Sequence, residues 1–456
     1  MKLLLDNNLK QIESIVESMG ESRFRAEQLY TAMLNGKDYS DKTNLPKPLL
    51  EKLKESGWAM QPLEITKQLK SKVDNNIKLL YKLTDGNIIE GMLMQYKFGN
   101  TLCLSTQVGC KMNCAFCASG LNGWIRNLTA GEMLGQVVAV NKLLGGTVKD
   151  RKITNIVLMG TGEPLDNFDN VVSFLKTLTS ENGFNFSVRN ISLSTCGIPS
   201  KIEALADLGL PITLCISLHA PNDAVRKTIM PIAKSYSIES VLESAKHYHT
   251  MTNRRIIIEY VLIDGVNNSI KDAKELSILL RELPCHVNLI RLNEVPERGL
   301  KAPSMKSCEM FLNNLHMFGV SATMRRTLGD DVEGACGMLR NKNLNENPLV
   351  KVGSKIDDNA RSIREKGSLK KLSYNKQNNN SAGQSKMLAD KSIDRFSRKS
   401  NGKNIDNARN QKGYNGITNK KSKSNSASKN EKITNSKKSQ KNIKNSTKTL
   451  KNNAKR

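Results

Sequence analysis

Six short runs of apolar or alternating residues, each separated from the next by a stretch of helical periodicity, constrain this chain more than any other feature. They are ITNIVLM (153–159), NISLST (190–195), ITLCISL (212–218), RIIIEYVLI (255–263), HVNLIRL (286–292) and VSATMRR (320–326). The helical stretch at 131–144 precedes the first run and that at 272–283 separates the fourth from the fifth, and the former opens on Thr129-Ala130-Gly131-Glu132, the spacing of a capping box. Strands alternating with helices demand an α/β fold with a parallel sheet and right-handed crossovers, either an open sheet or an incomplete barrel. In such folds the chemistry sits at the C-terminal ends of the strands. Two loops that follow strands, GCKMNCAFCASG (109–120) and GTGEP (160–164), therefore belong at that mouth.

The rest of the chain divides by pattern and by charge. In residues 1–60, Leu9, Ile12, Ile15, Val16 and Met19 recur at helical spacing, 24–34 continues the periodicity, and a third segment follows Pro46 and Pro48. A small helical domain fits. IKLLYKL (77–83) and IIEGMLMQY (88–96) flank Thr84-Asp85-Gly86-Asn87, whose Asp-Gly pair signals a hairpin turn. Residues 61–98 thus read as a hairpin linker into a core over 99–345. Residues 351–456 carry 29 Lys and Arg against 7 Asp and Glu, so +22 of the chain's +27 lies there and the body is only mildly basic. With so few apolar side chains to offset the entropy of ordering, 346–456 is expected to be a disordered basic tail. Such a tail is either an electrostatic arm for RNA, releasing counterions from phosphates, or a solvated extension without a task.

Nine cysteines occur in a chain whose start, MKLLLDNN, lacks the apolar region of a signal peptide. No run approaches the roughly 18 to 20 apolar residues of a membrane span. A cytoplasmic, reducing setting is expected, with thiols that bind metal, react or pack rather than pair structurally. Cys110, Cys114 and Cys117 form C-x3-C-x2-C. Spacing alone leaves three readings open: three ligands of a cubane cluster with one iron left free, a zinc site completed from elsewhere, or buried cysteines clustered by chance. In GTGEP, glycines allow the backbone to approach a bound molecule, and the Glu163 carboxylate can accept hydrogen bonds from an ammonium group. By itself the segment reads equally as a turn with a surface Glu. Cys103 and Cys336, each taken alone, read as small buried hydrophobes.

The C-x3-C-x2-C spacing, with Phe116 before the last cysteine, resembles the radical S-adenosylmethionine superfamily. There the open iron chelates the amino and carboxylate groups of S-adenosylmethionine, and the reduced cluster splits the sulfonium to give a 5′-deoxyadenosyl radical. The strings TLCLSTQVGCKMNCAFCASG, LMGTGEPLDN, ISLSTCGIPS, CISLHAPND, HVNLIRLNEVP and EGACG together resemble the RlmN family, bacterial methyltransferases acting on C2 of adenosine in 23S rRNA and tRNA. The likeness spans nearly the whole body and leaves out the basic tail. Thr161 stands where this family often has Met.

The resemblance implies a partial parallel (β/α)6 radical S-adenosylmethionine barrel with an N-terminal RNA-binding accessory domain. It implies one [4Fe-4S] cluster on Cys110, Cys114 and Cys117, and two S-adenosylmethionine molecules consumed per turnover. Cofactor contacts carry over to Gly162, Glu163, Ser194, Ser217, Leu218, His219 and Asn293. In the implied reaction Cys336 is methylated first, a hydrogen atom is abstracted from that methyl, and the carbon adds to C2. Cys103 then attacks the Cys336 sulfur, which releases methylated RNA and leaves a disulfide to be re-reduced. Glu90 matches the proposed proton acceptor, and its local pattern equally suits an exposed strand carboxylate. Outside the motif, His219 would read as a core histidine. Cys215, Cys285 and Cys308 are assigned to packing, and Cys196 is given no role.

The implied partners are 23S rRNA, tRNA and an electron donor such as flavodoxin or ferredoxin, with a monomer and no membrane. RNA contacts are expected from residues 149–152, from Arg325-Arg326 and from the helical domain, and the target base must leave its stack. Three rivals stand beside this reading. One is a C8-specific relative conferring antibiotic resistance, one is another radical enzyme such as a glycyl-radical activase, and one is a non-catalytic zinc and RNA-binding module.

Overall fold

The computed structural model describes residues 2–339. The expected basic tail, 346–456, lies outside them. Ten strands form one sheet: β1 Leu63–Lys70, β2 Ile77–Leu83, β3 Ile88–Tyr96, β4 Gly99–Cys103, β5 Ile153–Leu158, β6 Ile191–Thr195, β7 Thr213–Ser217, β8 Ile256–Leu262, β9 Cys285–Arg291 and β10 Ala322–Met324. Their order across the sheet follows the chain without exception. From β4 to β10 every pairing is parallel, and from β1 to β4 every pairing is antiparallel. The sheet is open, with β1 and β10 at its two edges.

Each parallel step is bridged by helix, as the crossover rule requires. Among the described residues ten α-helices occur: α1 Leu9–Ser18, α2 Phe24–Leu34, α3 Lys47–Glu55, α4 Ala130–Leu143, α5 Phe168–Thr179, α6 Pro199–Asp207, α7 Asp223–Ile229, α8 Ile238–Thr252, α9 Ile270–Leu279 and α10 Met305–Met317. From α4 onward they cover the outside of the sheet, and Ile156, Leu193, Leu214, Ile258 and Leu289 of the strands are buried among them. The capping box of α4 forms: Glu132 N–H donates to Thr129 Oγ1 at 3.1 Å and Thr129 N–H to the Glu132 carboxylate at 3.0 Å. The same carboxylate takes Arg126 at 2.7 Å, and Arg126 also reaches Asp85 in the β2–β3 turn at 2.7 Å. That turn is held to the cysteine segment through one guanidinium.

The segment before α1 packs against the beginning of α4, and Gly36 after α2 packs against its end, where Lys142 Nζ donates to Gly36 O at 2.6 Å. Gly131 N–H donates to Asp6 Oδ1 at 2.7 Å, and a Cβ on Gly131 would meet the Leu5–Asp6 backbone at 2.7 Å. Only glycine permits this approach. Two strands have no counterpart in the sequence pattern. β1, LEITKQLK, is an edge strand with Leu63 its one buried residue, and β4, GNTLC, is short and opens on Gly-Asn. Among the described residues no helix is long and apolar enough to cross a membrane.

Candidate active site

Cys110, Cys114 and Cys117 lie on the loop beyond β4, at the C-terminal mouth of the parallel strands. A small hairpin, Gln107–Gly109 against Trp124–Asn127, carries the loop. Its closure requires glycine at 109, where φ is +76° and a Cβ would collide with the Gly123 carbonyl. Cys110 N–H donates to that carbonyl at 2.9 Å, Ala115 N–H to Ile229 O at 2.8 Å, and Ala118 N–H to Gly337 O at 2.7 Å. Arg298 grips Cys117 O at 2.9 Å and Asn113 Oδ1 at 2.8 Å. Backbone bonds thus fix the loop and leave the three thiols turned into one cavity of about 170 Å³.

The chemistry of this wall suits an iron–sulfur cluster. Burial pushes the Cys110 thiol up to about 12 and raises Cys114 as well, so the thiolates need a positive partner. Arg226 is fully buried, and its field is felt at Cys114. Its Nη2 donates to Cys196 O at 2.6 Å, while Nη1 has no hydrogen-bond partner among the described residues. A buried cation with an unspent donor fits beside an anionic cluster. No group of three or more His, Cys, Asp or Glu among the described residues is arranged to hold one metal ion. All ligands of a single zinc lie about 2.0 to 2.3 Å from it. Thiolates on separate irons of a cubane stand further apart than that.

The GTGEP loop lines the same cavity through Gly160, Gly162 and Glu163. Gly162 has φ +111°, and a Cβ there would lie 2.6 Å from Gln107 Cβ. Gln107, unmarked by any motif, pins the two loops: Oε1 accepts Glu163 N–H at 2.9 Å, and Nε2 donates to Asn127 and Asp166 at 2.8 Å. Glu163 is buried rather than on the surface. Its oxygens accept Leu165 N–H at 3.0 Å and Cys196 N–H at 2.7 Å, and burial raises its pKa above the ordinary carboxylate value. Cys196 therefore contributes through its backbone. Thr161 does not line this cavity; its N–H and C=O are held by Ser105 Oγ and by the Thr106 and Gln107 amides.

Across the cavity, Ser194 Oγ and Ser217 Oγ stand 3.2 Å apart at the ends of β6 and β7. His219 follows β7 in a left-handed conformation, φ +58°. Its Nδ1 accepts Val261 N–H at 3.0 Å, which puts the ring proton on Nε2. Burial, with Arg226 adding to it, lowers its pKa to about 3 and keeps the imidazole neutral. Phe116 packs edge-on against it at 4.8 Å. Leu218 is different: its side chain is in the core, its N–H is bonded to Glu259 O and its C=O to Arg226. Asn293 also lies apart from this group, donating to Cys336 O at 3.0 Å.

A second, smaller cavity of about 40 Å³ adjoins the first, and Cys336, Met159, Ile290 and Arg325 line both. Cys103, at the end of β4, lines the second together with Met92 and Met94. The two thiols are near enough to feel each other's charge. Burial and then Cys336 push the Cys103 thiol up to about 12, with Arg325 opposing. Arg325 sits 3.5 Å from Glu259 Oε2 and is held charged by Cys336, Glu259 and Cys103. It is a cavity cation facing the thiols. Residues 149–152, also expected to meet RNA, precede β5 and so lie at the end of the barrel away from the mouth. There Lys152 pairs with Asp150 at 2.7 Å, and Arg151 stacks on Phe186 at 3.7 Å.

Glu90 is not an exposed strand carboxylate. It is buried on β3 and paired with Lys78 Nζ at 3.1 Å. All nine cysteines are free thiols. Cys215 and Cys308 are buried in packing positions, and Cys285 is partly exposed.

Residues 104–276 match the family model of the radical SAM superfamily. The chain is 48% identical over 342 residues to a dual-specificity RNA methyltransferase RlmN of Alkaliphilus oremlandii, covering 75% of this chain and 98% of that protein. It is 47% identical to the RlmN of Clostridium perfringens strain 13, over 75% and 97%. A crystal structure of a radical SAM methyltransferase from Sphaerobacter thermophilus superposes with a TM-score of 0.71 at 39% identity, covering 75% of this chain and 99% of that one.

Proposed function

The chain belongs to the RlmN family of radical S-adenosylmethionine RNA methyltransferases, and from that premise we propose how its own residues work. The reaction is methylation of C2 of adenosine in 23S rRNA, at the peptidyl-transferase centre, and in tRNA, 3′ of the anticodon. The observation that carries this reading is Cys336, which lines the cavity of the cysteine loop and shares the adjoining one with Cys103. A glycyl-radical activase has no use for such a thiol pair. A C8-specific enzyme would share it, and the relatives named RlmN favour C2.

Cys110, Cys114 and Cys117 would hold the cluster, and Glu163, Ser194, Ser217 and His219 would receive S-adenosylmethionine beside it. Bound together, these groups supply a 5′-deoxyadenosyl radical, a strong abstractor of hydrogen atoms. Cys336 Sγ first accepts a methyl from one S-adenosylmethionine and gives up its thiol proton. With the second molecule, that methyl loses a hydrogen atom and its carbon bonds to C2. Glu90 takes the C2 proton, and the adduct's unpaired electron would pass to the cluster held by Cys110, Cys114 and Cys117. Cys103 thiolate, favoured by Arg325, then attacks Cys336 Sγ. The S–S bond forms, the S–CH2 bond breaks, and its electron pair is protonated to complete the methyl. A donor of the flavodoxin or ferredoxin class supplies the cluster electron, and a dithiol reductant restores the two cysteines. Asn293 acts on Cys336 through its carbonyl, and Leu218 through backbone shape alone. The enzyme is taken to work as a cytoplasmic monomer, with α1 to α3 assisting RNA docking.

The test is mass spectrometry of nucleosides from rRNA and tRNA after incubation with anaerobically reconstituted protein, S-adenosylmethionine and a reductant. New 2-methyladenosine with the intact protein and none with Cys336→Ala is the expected result. An 8-methyladenosine product would overturn C2. No methylated adenine from a cluster-loaded protein would overturn the RNA reaction.

A further inference from the structure

The loop that carries Cys336 is held by the β2–β3 arm, and one buried cation takes part in both the loop and the arm. Lys78 on β2 lies directly opposite Met92 on β3, with Leu80 opposite Glu90. In an antiparallel pair these four side chains share one face. Met92 on that face lines the Cys103 and Cys336 cavity and fills the space over Gly334, where a Cβ would lie 2.6 Å from its Sδ. Lys78 Nζ stands 3.1 Å from Glu90 Oε1, with both side chains only 5% exposed. The same Nζ donates to Glu333 O at 3.2 Å, three residues before Cys336. Around this bond Gly329 N–H donates to Asp74 Oδ2 at 2.7 Å, and Lys72 N–H to Asp331 Oδ2 at 2.8 Å. The loop is thereby docked at three points, one on β2 and two on the β1–β2 turn.

A general base must be ionised and aimed when its proton arrives, and a buried carboxylate stays ionised only beside positive charge or donors. An ammonium has three donors and no acceptor, so it can serve a carboxylate and a carbonyl together. We propose that Lys78 is a positioning residue whose ammonium holds the Glu90 carboxylate in place while it clamps the Cys336 loop, tying proton acceptance to the docked state of the methyl-carrying cysteine. This rests on Glu90 being the acceptor in the reaction above. In the step concerned the C2–H bond breaks, the proton goes to a Glu90 oxygen, and the electron pair stays with the RNA adduct. Lys78 gives up no proton.

The test compares Lys78→Met, Lys78→Arg, Glu90→Gln and the double variant Lys78→Met/Glu90→Gln in single turnover with cluster-loaded full-length protein, S-adenosylmethionine and substrate RNA. Three readouts are followed: methylated Cys336 by peptide mass, the covalent protein–RNA adduct on a denaturing gel, and Tm. Lys78→Met should still methylate Cys336 and form adduct but clear it about 100-fold more slowly, as a lost general base requires. Lys78→Arg should restore clearance to within about tenfold of wild type. The double variant should clear no more slowly than Glu90→Gln alone, because Lys78 acts through Glu90. A purely stabilising pair would lower Tm and leave the clearance rate unchanged.

Wild-type clearance in Lys78→Met overturns the proposal, and so do independent, multiplying losses in the double variant. If Lys78→Met does not fold, the double variant, which leaves no lone buried charge, and Lys78→Arg carry the comparison. Failure of wild type to make any methyladenosine would instead bring down the proposed reaction. Normal clearance by Glu90→Gln would remove Glu90 as acceptor, and Lys78 with it.

Discussion

The cysteine-loop end of the cavity is built from neighbouring strand ends, the cysteine loop, GTGEP and the tips of β6 and β7, whereas the thiol end joins Cys103 of β4 to Arg325 and Cys336 after β10, with the Lys78–Glu90 pair of β2 and β3 behind the Cys336 loop. At the first end, backbone bonds do the positioning: Gly123 O on Cys110, Gln107 on Glu163, Arg298 on Cys117. At the second, side chains cross from β2 to β3 and to the segment after β10, and from Asn293 beyond β9 to Cys336. On the proposed reaction, the first end would serve radical generation and the second the use made of the radical. Losses at the two ends should therefore separate into loss of radical generation and loss of methyl transfer.

The largest effects test that separation directly. Cys114→Ala should abolish the visible absorbance and iron of the reconstituted protein, cleavage of S-adenosylmethionine to 5′-deoxyadenosine, and all methylation. Cys336→Ala should keep the iron and lose the methylation. An iron-free Cys336→Ala would show that the two ends depend on each other for assembly, which the Ala118 N–H to Gly337 O bond makes a physical possibility. Cys103→Ala should leave Cys336 methylation and adduct formation intact and stop at the covalent protein–RNA species, one RNA per protein on a denaturing gel. Release of product by Cys103→Ala would break the comparison, since the second thiol would then have no task.

The same contrast explains what could be read without a structure. The cysteine loop and GTGEP are local, so their residue types and spacing are visible in a short window. The parallel strands were equally legible, because buried strands need continuous apolar runs. β1 escaped because an edge strand buries one face at most, and LEITKQLK shows almost no apolar pattern. Arg325 was read as an RNA contact because a basic pair looks like surface. Its ion pair with Glu259 and its nearness to both thiols exist only after β8 and β10 are brought together. The Lys78–Glu90 pair was hidden for the same reason. The turn marks the hairpin, but Lys78 and Glu90 are diagonal neighbours, Lys78 opposite Met92 and Leu80 opposite Glu90, and that register is not written in either strand alone.

A middle-sized effect probes the cofactor wall. Glu163→Ala removes an acceptor and leaves the amides of Leu165 and Cys196 without their partner. A charge-assisted hydrogen bond contributes about 1.5 to 3 kcal/mol, so KM for S-adenosylmethionine should rise about 10- to 100-fold. Cys336→Ser, at the other end, should leave binding of S-adenosylmethionine within about twofold of wild type, measured by equilibrium dialysis against the cluster-loaded protein. Equal losses in both variants would mean that the two cavities bind as one.

A further effect is a pH dependence that belongs to the cysteine-loop end through His219. Burial lowers its folded pKa to about 3, while the unfolded imidazole titrates near 6.5. Between those values the unfolded chain binds a proton that the folded chain refuses, so stability is full above about pH 6.5 and falls as the pH falls towards 3. The slope is up to about 1.4 kcal/mol per pH unit. Glu163 acts in the opposite sense, because burial raises its pKa and the folded state accepts that proton first. The net slope of the wild type therefore mixes the two, and the difference from a His219 variant isolates one. His219→Asn suits the left-handed backbone at φ +58° and removes the titrating ring. Its Tm should fall less steeply than wild type from pH 6.5 to 4, whereas Cys336→Ser should keep the wild-type slope. Parallel slopes for wild type and His219→Asn would mean that the ring is protonated in the folded chain. The hydrogen bond from Val261 N–H to Nδ1 would then have to be broken at low pH.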